Sequence, residues 1–242
     1  GVDLPSEVGG NIPTPKYYRK IFGNNWHSCN TVSNSIGQGE VNSTVLQLTN
    51  AIAMIANKGW YYIPHIIDSI EGGDEFGLLE KYRKKVEPVH IPDSMFEAVH
   101  QGMEDVMKPG GTGWRLAVPG INICGKTGTV QNPRGADHSV FVAFAPRVNP
   151  KIAIAVVVEN AGYGATWSAP IASLMIEKYL KDSISRPKYY TDRLLNANLL
   201  PGQQKTNFKS SVKKDSLTKT PSQTLRVTPI ITNNKAIIRK NE

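Results

Sequence analysis

Gly125, Lys126, Thr127, Gly128 and Thr129 put a cation, two hydroxyls and two positions without a side chain into five consecutive residues. The surrounding stretch, "INICGKTGTVQ" at 121–131, otherwise reads as a buried strand. These residue types suit a peptide that ends in a free carboxylate. Lys126 supplies the charge, and Thr127 and Thr129 supply hydroxyl donors. The peptide would lie antiparallel beside the strand, as an added strand does. Gly128, without a side chain, lets that backbone come close. The Thr129 N–H is then placed to meet a scissile carbonyl oxygen as half of an oxyanion hole. Lys126 and Thr129 are therefore the candidate catalytic residues, and Lys126, Thr127, Gly128 and Thr129 the candidate substrate-binding residues. By itself the triplet Lys-[Ser/Thr]-Gly is weak. It arises by chance in roughly one chain in ten of this length, and a turn ahead of an edge strand would account for it.

The elements that must position this strand are legible around it. Two apolar runs follow, 138–146 and 151–159, joined by "RVNP", which is short enough only for an antiparallel hairpin. Both are apolar on both faces, so both faces of the sheet are expected to be covered. The helix "SAPIASLMIEKYLKD" then covers one face, with Ser168 as cap and Leu174, Met175 and Tyr179 inward. Upstream, "NSTVLQLTNAIAMIANKG" reads as a helix capped by Asn42 or Ser43, and "PDSMFEAVHQGMEDVM" as a helix with Met95, Val99, Met103 and Val106 on one face. "WYYIPHIIDSI" reads as a strand that Pro64 confines to an edge or a bend. Residues 1–42 read as loops with short turns, and 72–91 as loop with one short strand. The expected fold class is α+β, an antiparallel sheet flanked by helices.

Charge divides the chain. Residues 183–242 hold 12 Lys/Arg against 3 Asp/Glu, leaving 16 against 17 for the first 182. The basic character belongs to a polar segment that reads as a disordered tail, so the expected domains are 1–182 and 183–242. A nucleic-acid partner needs a basic face on a fold, and the body has none. Cys29 and Cys124 fit neither a disulfide framework nor a zinc site. His65, His90, His100 and His138 lack partners at metal spacing, so no metal and no cofactor is expected. No apolar stretch of about 18 residues is present.

Lys-Thr-Gly on a strand is one of three signatures of penicillin-recognising serine enzymes. Further stretches carry a resemblance well beyond the triplet: "GVDLPSEVGGNIP" (1–13), "IGQGEVNSTVLQLTNAIAMIANKG" (36–59), "GTGWRLAVPGINICGKTGT" (111–129), "DHSVFVAFAP" (137–146) and "IAIAVVVENAGYG" (152–164). On these the chain resembles the C-terminal part of the transpeptidase domain of class B high-molecular-mass penicillin-binding proteins. It is most similar to the elongation type, penicillin-binding protein 2. The resemblance implies the penicillin-binding transpeptidase (serine β-lactamase-like) fold, C-terminal half. It implies a peptidoglycan D,D-transpeptidase of cell-wall elongation, acylated by β-lactam antibiotics, acting on peptidoglycan stem peptides. It also implies cell-elongation machinery proteins as partners, the periplasmic face of the bacterial inner membrane as location, and a membrane anchor upstream.

The same resemblance implies a Ser-x-x-Lys nucleophile and a Ser-x-Asn motif ahead of Lys126. Ser-x-x-Lys occurs only at 185–188, 210–213, 211–214 and 216–219, all in the polar tail and without the apolar helix that activates such a serine. Ser-x-Asn occurs only as "SCN" at 28–30, read as loop. This chain is therefore expected to be a segment that follows the nucleophile and does not acylate alone. Two rivals stand beside the transpeptidase. One is a serine β-lactamase-type hydrolase, against which the long tail speaks. The other is a non-catalytic penicillin-binding-like sensor or scaffold.

Overall fold

The computed structural model describes residues 2–200. In chain order these form α1 (Pro15–Phe22), α2 (Ser28–Ser35), α3 (Val45–Ala56), β1 (Tyr61–Tyr62), the single turn α4 (Glu80–Arg83), β2 (Lys85–Val86) and α5 (Asp93–Asp105). A 3-10 turn (Trp114–Leu116) then leads into β3 (Cys124–Val130), β4 (His138–Ala145), β5 (Ile152–Val158), α6 (Ser168–Lys181) and α7 (Lys188–Leu195).

The centre is the antiparallel sheet β3-β4-β5, with β3 at one edge. Side chains alternate between faces along each strand. Phe141, Ala143, Ala145 and Ile154 meet Ala169, Ala172 and Ile176 of α6 on one face. Phe144 and Cys124 meet Ile52 and Ala56 of α3 and Met103 of α5 on the other. That two-sided cover explains why both hairpin strands are apolar throughout. It makes the fold the expected α+β design.

Several local expectations change. The cap of α3 is Thr44, past both expected candidates, Asn42 and Ser43. Its Oγ1 accepts from Gln47 N–H at 3.1 Å, while Gln47 Oε1 accepts from Thr44 N–H at 2.9 Å, a reciprocal capping box. On α5, Met95 and Val99 are exposed, and Phe96, His100, Met103 and Glu104 are buried. On α6, Met175 and Tyr179 are exposed, and Ala169, Ala172, Ser173, Ile176 and Glu177 are buried. Residues 1–42, expected as loop, hold α1 and α2, the second of which contains "SCN". Their hub is the buried Tyr18, whose hydroxyl donates to Glu40 Oε2 at 2.7 Å and accepts from Asn34 Nδ2 at 2.6 Å, and whose ring stacks on Trp26. The strand expected over 60–70 shrinks to Tyr61–Tyr62, paired with β2 and ended before Pro64.

The tail expected to start at Ser183 is corrected in its first part. Residues 183–200 include α7, and Tyr190 packs on the α6-side core. What fastens them is a buried carboxylate. Glu177 Oε1 accepts from both the amide (3.1 Å) and the hydroxyl of Ser185. Arg186 reaches past it to Leu116 O at 2.7 Å and Ser173 Oγ at 2.6 Å. Residues 201–242, the rest of that expected tail, lie outside the described residues.

At the far end of the sheet, Arg147 Nη1 donates to Gln101 Oε1 and Glu104 Oε2 at 2.7 Å each, fixing α5 to the β4–β5 turn. Lys108 at 2.8 Å holds the Glu104 carboxyl below the usual carboxylate range, and Arg147 adds to it, although burial opposes the shift.

Candidate functional site

Lys126, Thr127, Gly128 and Thr129 fall consecutively on β3, opposite Val142, Phe141, Val140 and Ser139 of β4. Phe141 belongs to the α6 side, so Gly125, Thr127 and Thr129 turn to that side and Lys126 and Gly128 to the other. The two glycines have different reasons. A Cβ on Gly125 would stand 2.5 Å from the Phe141 ring, so its bareness serves the core. A Cβ on Gly128 would have Val140 as its nearest neighbour, with the Val140 Cβ at 3.3 Å, a contact the fold could nearly accept.

Lys126 is exposed, and its ammonium has no carboxylate within ion-pair distance among the described residues. Its Nζ donates instead to Thr127 O at 2.8 Å. That carbonyl therefore reaches the open edge of the sheet. A strand repeats its orientation every two residues, so the backbone N–H of Thr129 points to the same edge. The Lys126 ammonium, bonded to Thr127 O, and the outward Thr129 N–H thus meet at the open edge of β3, with the Thr127 and Thr129 side chains on its α6 face. Such an edge can accept an extended peptide that ends in an anion.

The α6 side of β3 is held from behind. Ser139, opposite Thr129 and fully buried, donates from its hydroxyl to Tyr163 O at 3.0 Å and accepts the Ser168 N–H at 3.1 Å. Ser168 in turn donates to Gly164 O at 2.9 Å. So Ser168 bonds back into the loop before α6, while the strand hydroxyl of Ser139 takes an orphan N–H of the helix start. Gly164 lies against the sheet backbone: a Cβ there would sit 2.2 Å from Val140 O and 2.5 Å from Gly128 O. Gly164→Ala is expected to cost about 1–3 kcal/mol, the usual range for overpacking, because the obstacles are backbone atoms of β3 and β4. A urea melt checks this, and a midpoint unchanged from wild type would show that the loop does not bear on the strand.

A residue that sequence reasoning missed is Thr112. Its hydroxyl stands 3.0 Å from that of Thr127, tying the loop before the 3-10 turn to the motif strand. The only sequence signal is its place in "GGTGW". Asp137 closes the β3–β4 turn, and His138 ties the start of β4 to the loop after β5. Asp137 Oδ1 accepts from Asn132 N–H at 3.1 Å and His138 Nδ1 from Asn160 N–H at 3.0 Å. His100 is buried with Nε2 at 2.7 Å from Ile55 O, and His65 stacks on Tyr82. Cys124 adjoins the motif but is no nucleophile. Burial first, with Glu104 adding, pushes its thiol up to about 12. Ser185, the one tail Ser-x-x-Lys serine within the described residues, is bound to Glu177.

The penicillin binding protein transpeptidase domain matches residues 1–177. The peptidoglycan D,D-transpeptidase MrdA of Acinetobacter baumannii is 33% identical over 223 residues, which take in 84% of this chain and 33% of that protein. Among solved structures, Pseudomonas aeruginosa PBP2 in complex with WCK 5153 superposes with a TM-score of 0.62 at 32% identity, covering 74% of this chain and 38% of that one. PBP2 of Helicobacter pylori, in its complex with MreC, does so with a TM-score of 0.62 at 27% identity, over 74% and 32%. This chain spans about a third of the length of the curated relatives it matches. With the Lys-Thr-Gly-Thr strand placed as described, these likenesses agree on one family: the chain belongs to the penicillin-binding protein transpeptidases.

Proposed function

We propose that this chain is the C-terminal part of a peptidoglycan D,D-transpeptidase of cell-wall elongation, carrying the carboxylate-recognition strand of its active site. The observation that carries the reading is the open edge of β3, where the Lys126 ammonium, without a carboxylate partner among the described residues, bonds the outward Thr127 carbonyl. Lys126, Thr127 and Thr129 would hold the terminal carboxylate of a stem peptide lying antiparallel to β3 across Gly128. The Thr129 N–H would polarise the penultimate carbonyl. A serine hydroxyl from the preceding part of the protein adds to that carbon. The C–N bond to the terminal D-Ala then breaks, and the serine proton leaves on the released amine. The amine of a second peptide next adds to the acyl ester. The C–O bond breaks, and serine recovers a proton from that amine as the new amide forms.

The rest of the reading follows from the family. The protein would be anchored upstream and work at the periplasmic face of the inner membrane. β-Lactams would trap the serine. The MreC-bound relative supports elongation-machinery partners. Residues 1–182 would be the transpeptidase portion, and 183–242 an extension whose first part seals α6.

The test is intact mass spectrometry after incubation with a β-lactam. The complete protein is expected to gain one stable acyl adduct, and the 242-residue chain, shown folded by circular dichroism, none. An adduct on the chain alone would place a nucleophile within it. Steady penicillin turnover by the complete protein would favour a hydrolase.

A further inference from the structure

A cleft of 510 Å³ opens between the 3-10 turn, the loop before α6 and α7, and Thr112 stands on its rim. Its wall is aromatic and cationic: Trp114, Arg115, Tyr189, Tyr190 and Arg193, with no Asp or Glu among the lining residues. Arg115 lies over the Trp114 ring at 5.2 Å, and Arg193 over Trp167 at 5.2 Å, with an Nη2 hydrogen bond to Thr166 O at 3.2 Å. Neither guanidinium has a carboxylate within ion-pair distance among the described residues. Tyr189 is 73% exposed and Trp114 46%, so the fold itself buries neither ring. The cleft is also preformed, because Arg186 bonds the carbonyl of Leu116 on one wall and stacks on Tyr190 of the other.

Position decides what such a cleft would hold. A donor peptide antiparallel to β3, with its scissile carbonyl at Thr129, runs its terminal carboxylate toward Thr127. Thr112, bonded to Thr127, stands beside the residue that would hold that carboxylate. The cleft therefore begins where the donor peptide ends, on the side where the released residue departs and the incoming amine enters. One released amino acid does not need that volume. We infer that this cleft binds the second, amine-bearing stem peptide, with Arg115 and Arg193 taking its carboxylates and Trp114 and Tyr189 covering its apolar body. The inference rests on the transpeptidase reading and names its second substrate's place.

The probe is a soluble stem tripeptide, which ends before the D-Ala pair and cannot act as donor. It is titrated into the ¹⁵N-labelled 242-residue chain. The Trp114 and Trp167 indole N–H signals are expected to move and saturate. The double variant Arg115→Ala/Arg193→Ala is expected to keep its spectral dispersion and bind about tenfold more weakly. A tripeptide with amidated carboxylates should bind both forms equally weakly. Unmoved indole signals, or equal affinity of the double variant, would overturn the inference. Acylation of the complete protein is read separately. An adduct without tripeptide binding removes only the cleft, and tripeptide binding without an adduct removes only the transpeptidase reading.

Discussion

Lys126→Ala in the complete protein is expected to lower the second-order rate of β-lactam acylation by about 10²–10³-fold while leaving the fold intact. The size follows from what the ammonium does. A preorganised donor aimed at developing or bound negative charge typically contributes about 3–4 kcal/mol to the transition state. Lys126 is also the only cation among the four motif residues. The fold should not notice its loss, since among the described residues its ammonium bonds only to the neighbouring carbonyl, Thr127 O. Lys126→Arg should recover little, because a planar fork does not replace a compact ammonium at a site shaped for one. The measurement is the loss of free protein against time with a fluorescent penicillin, beside a thermal melt. Acylation at the wild-type rate with an unchanged melt would remove Lys126 from the site.

How much of this was legible without coordinates depends on where each residue's partners lie. The motif strand and the hairpin after it were readable because their signals are local: an odd cluster of Lys, Thr and Gly, and two doubly apolar runs. The helix faces were misread for the opposite reason. On α5 the periodic Met95 and Val99 look inward by composition, yet His100 and Glu104 take the buried side. Each is matched by a group far along the chain, Ile55 O and Arg147. On α6 the same inversion puts Ser173 and Glu177 inside, with Leu116 O, Ser185 and Arg186 as partners. A buried polar group is tolerated only where such a partner exists, and periodicity carries no record of it. Thr112 was invisible likewise, since its meaning comes from a hydroxyl 15 residues on. The short, polar α1 and α2 escaped because their anchor is one tyrosine rather than an apolar stripe.

Glu177 is where these hidden pairings weigh most. Its side chain is fully buried, with Arg186 Nε at 3.4 Å from Oε2 and the Ser185 amide and hydroxyl on Oε1. Removing one partner of such a set leaves the other charge buried without compensation, which costs about 3–5 kcal/mol. Glu177→Ala is therefore expected to lower the melting temperature by about 6–20 °C for a domain of this size. Replacing Glu177 and Arg186 together by methionine should cost clearly less than the sum of the single changes, since no lone charge remains. Acidity offers an independent reading. Burial alone would raise this carboxyl's pKa, but the Ser185 bonds and Arg186 outweigh it and hold it below its ordinary value of 4.5. The folded state then binds its proton less readily than the unfolded chain. The stabilisation is complete above that ordinary value and drains away as pH falls through the depressed one. The gap in melting temperature between wild type and Glu177→Gln should thus be constant near neutrality and shrink in acid. Other lowered carboxylates, such as Glu104, are common to both proteins and cancel in the difference. A gap that stayed constant into strong acid would mean the variant suffers from shape alone, and that the charge of Glu177 does not hold residues 183–195 against α6.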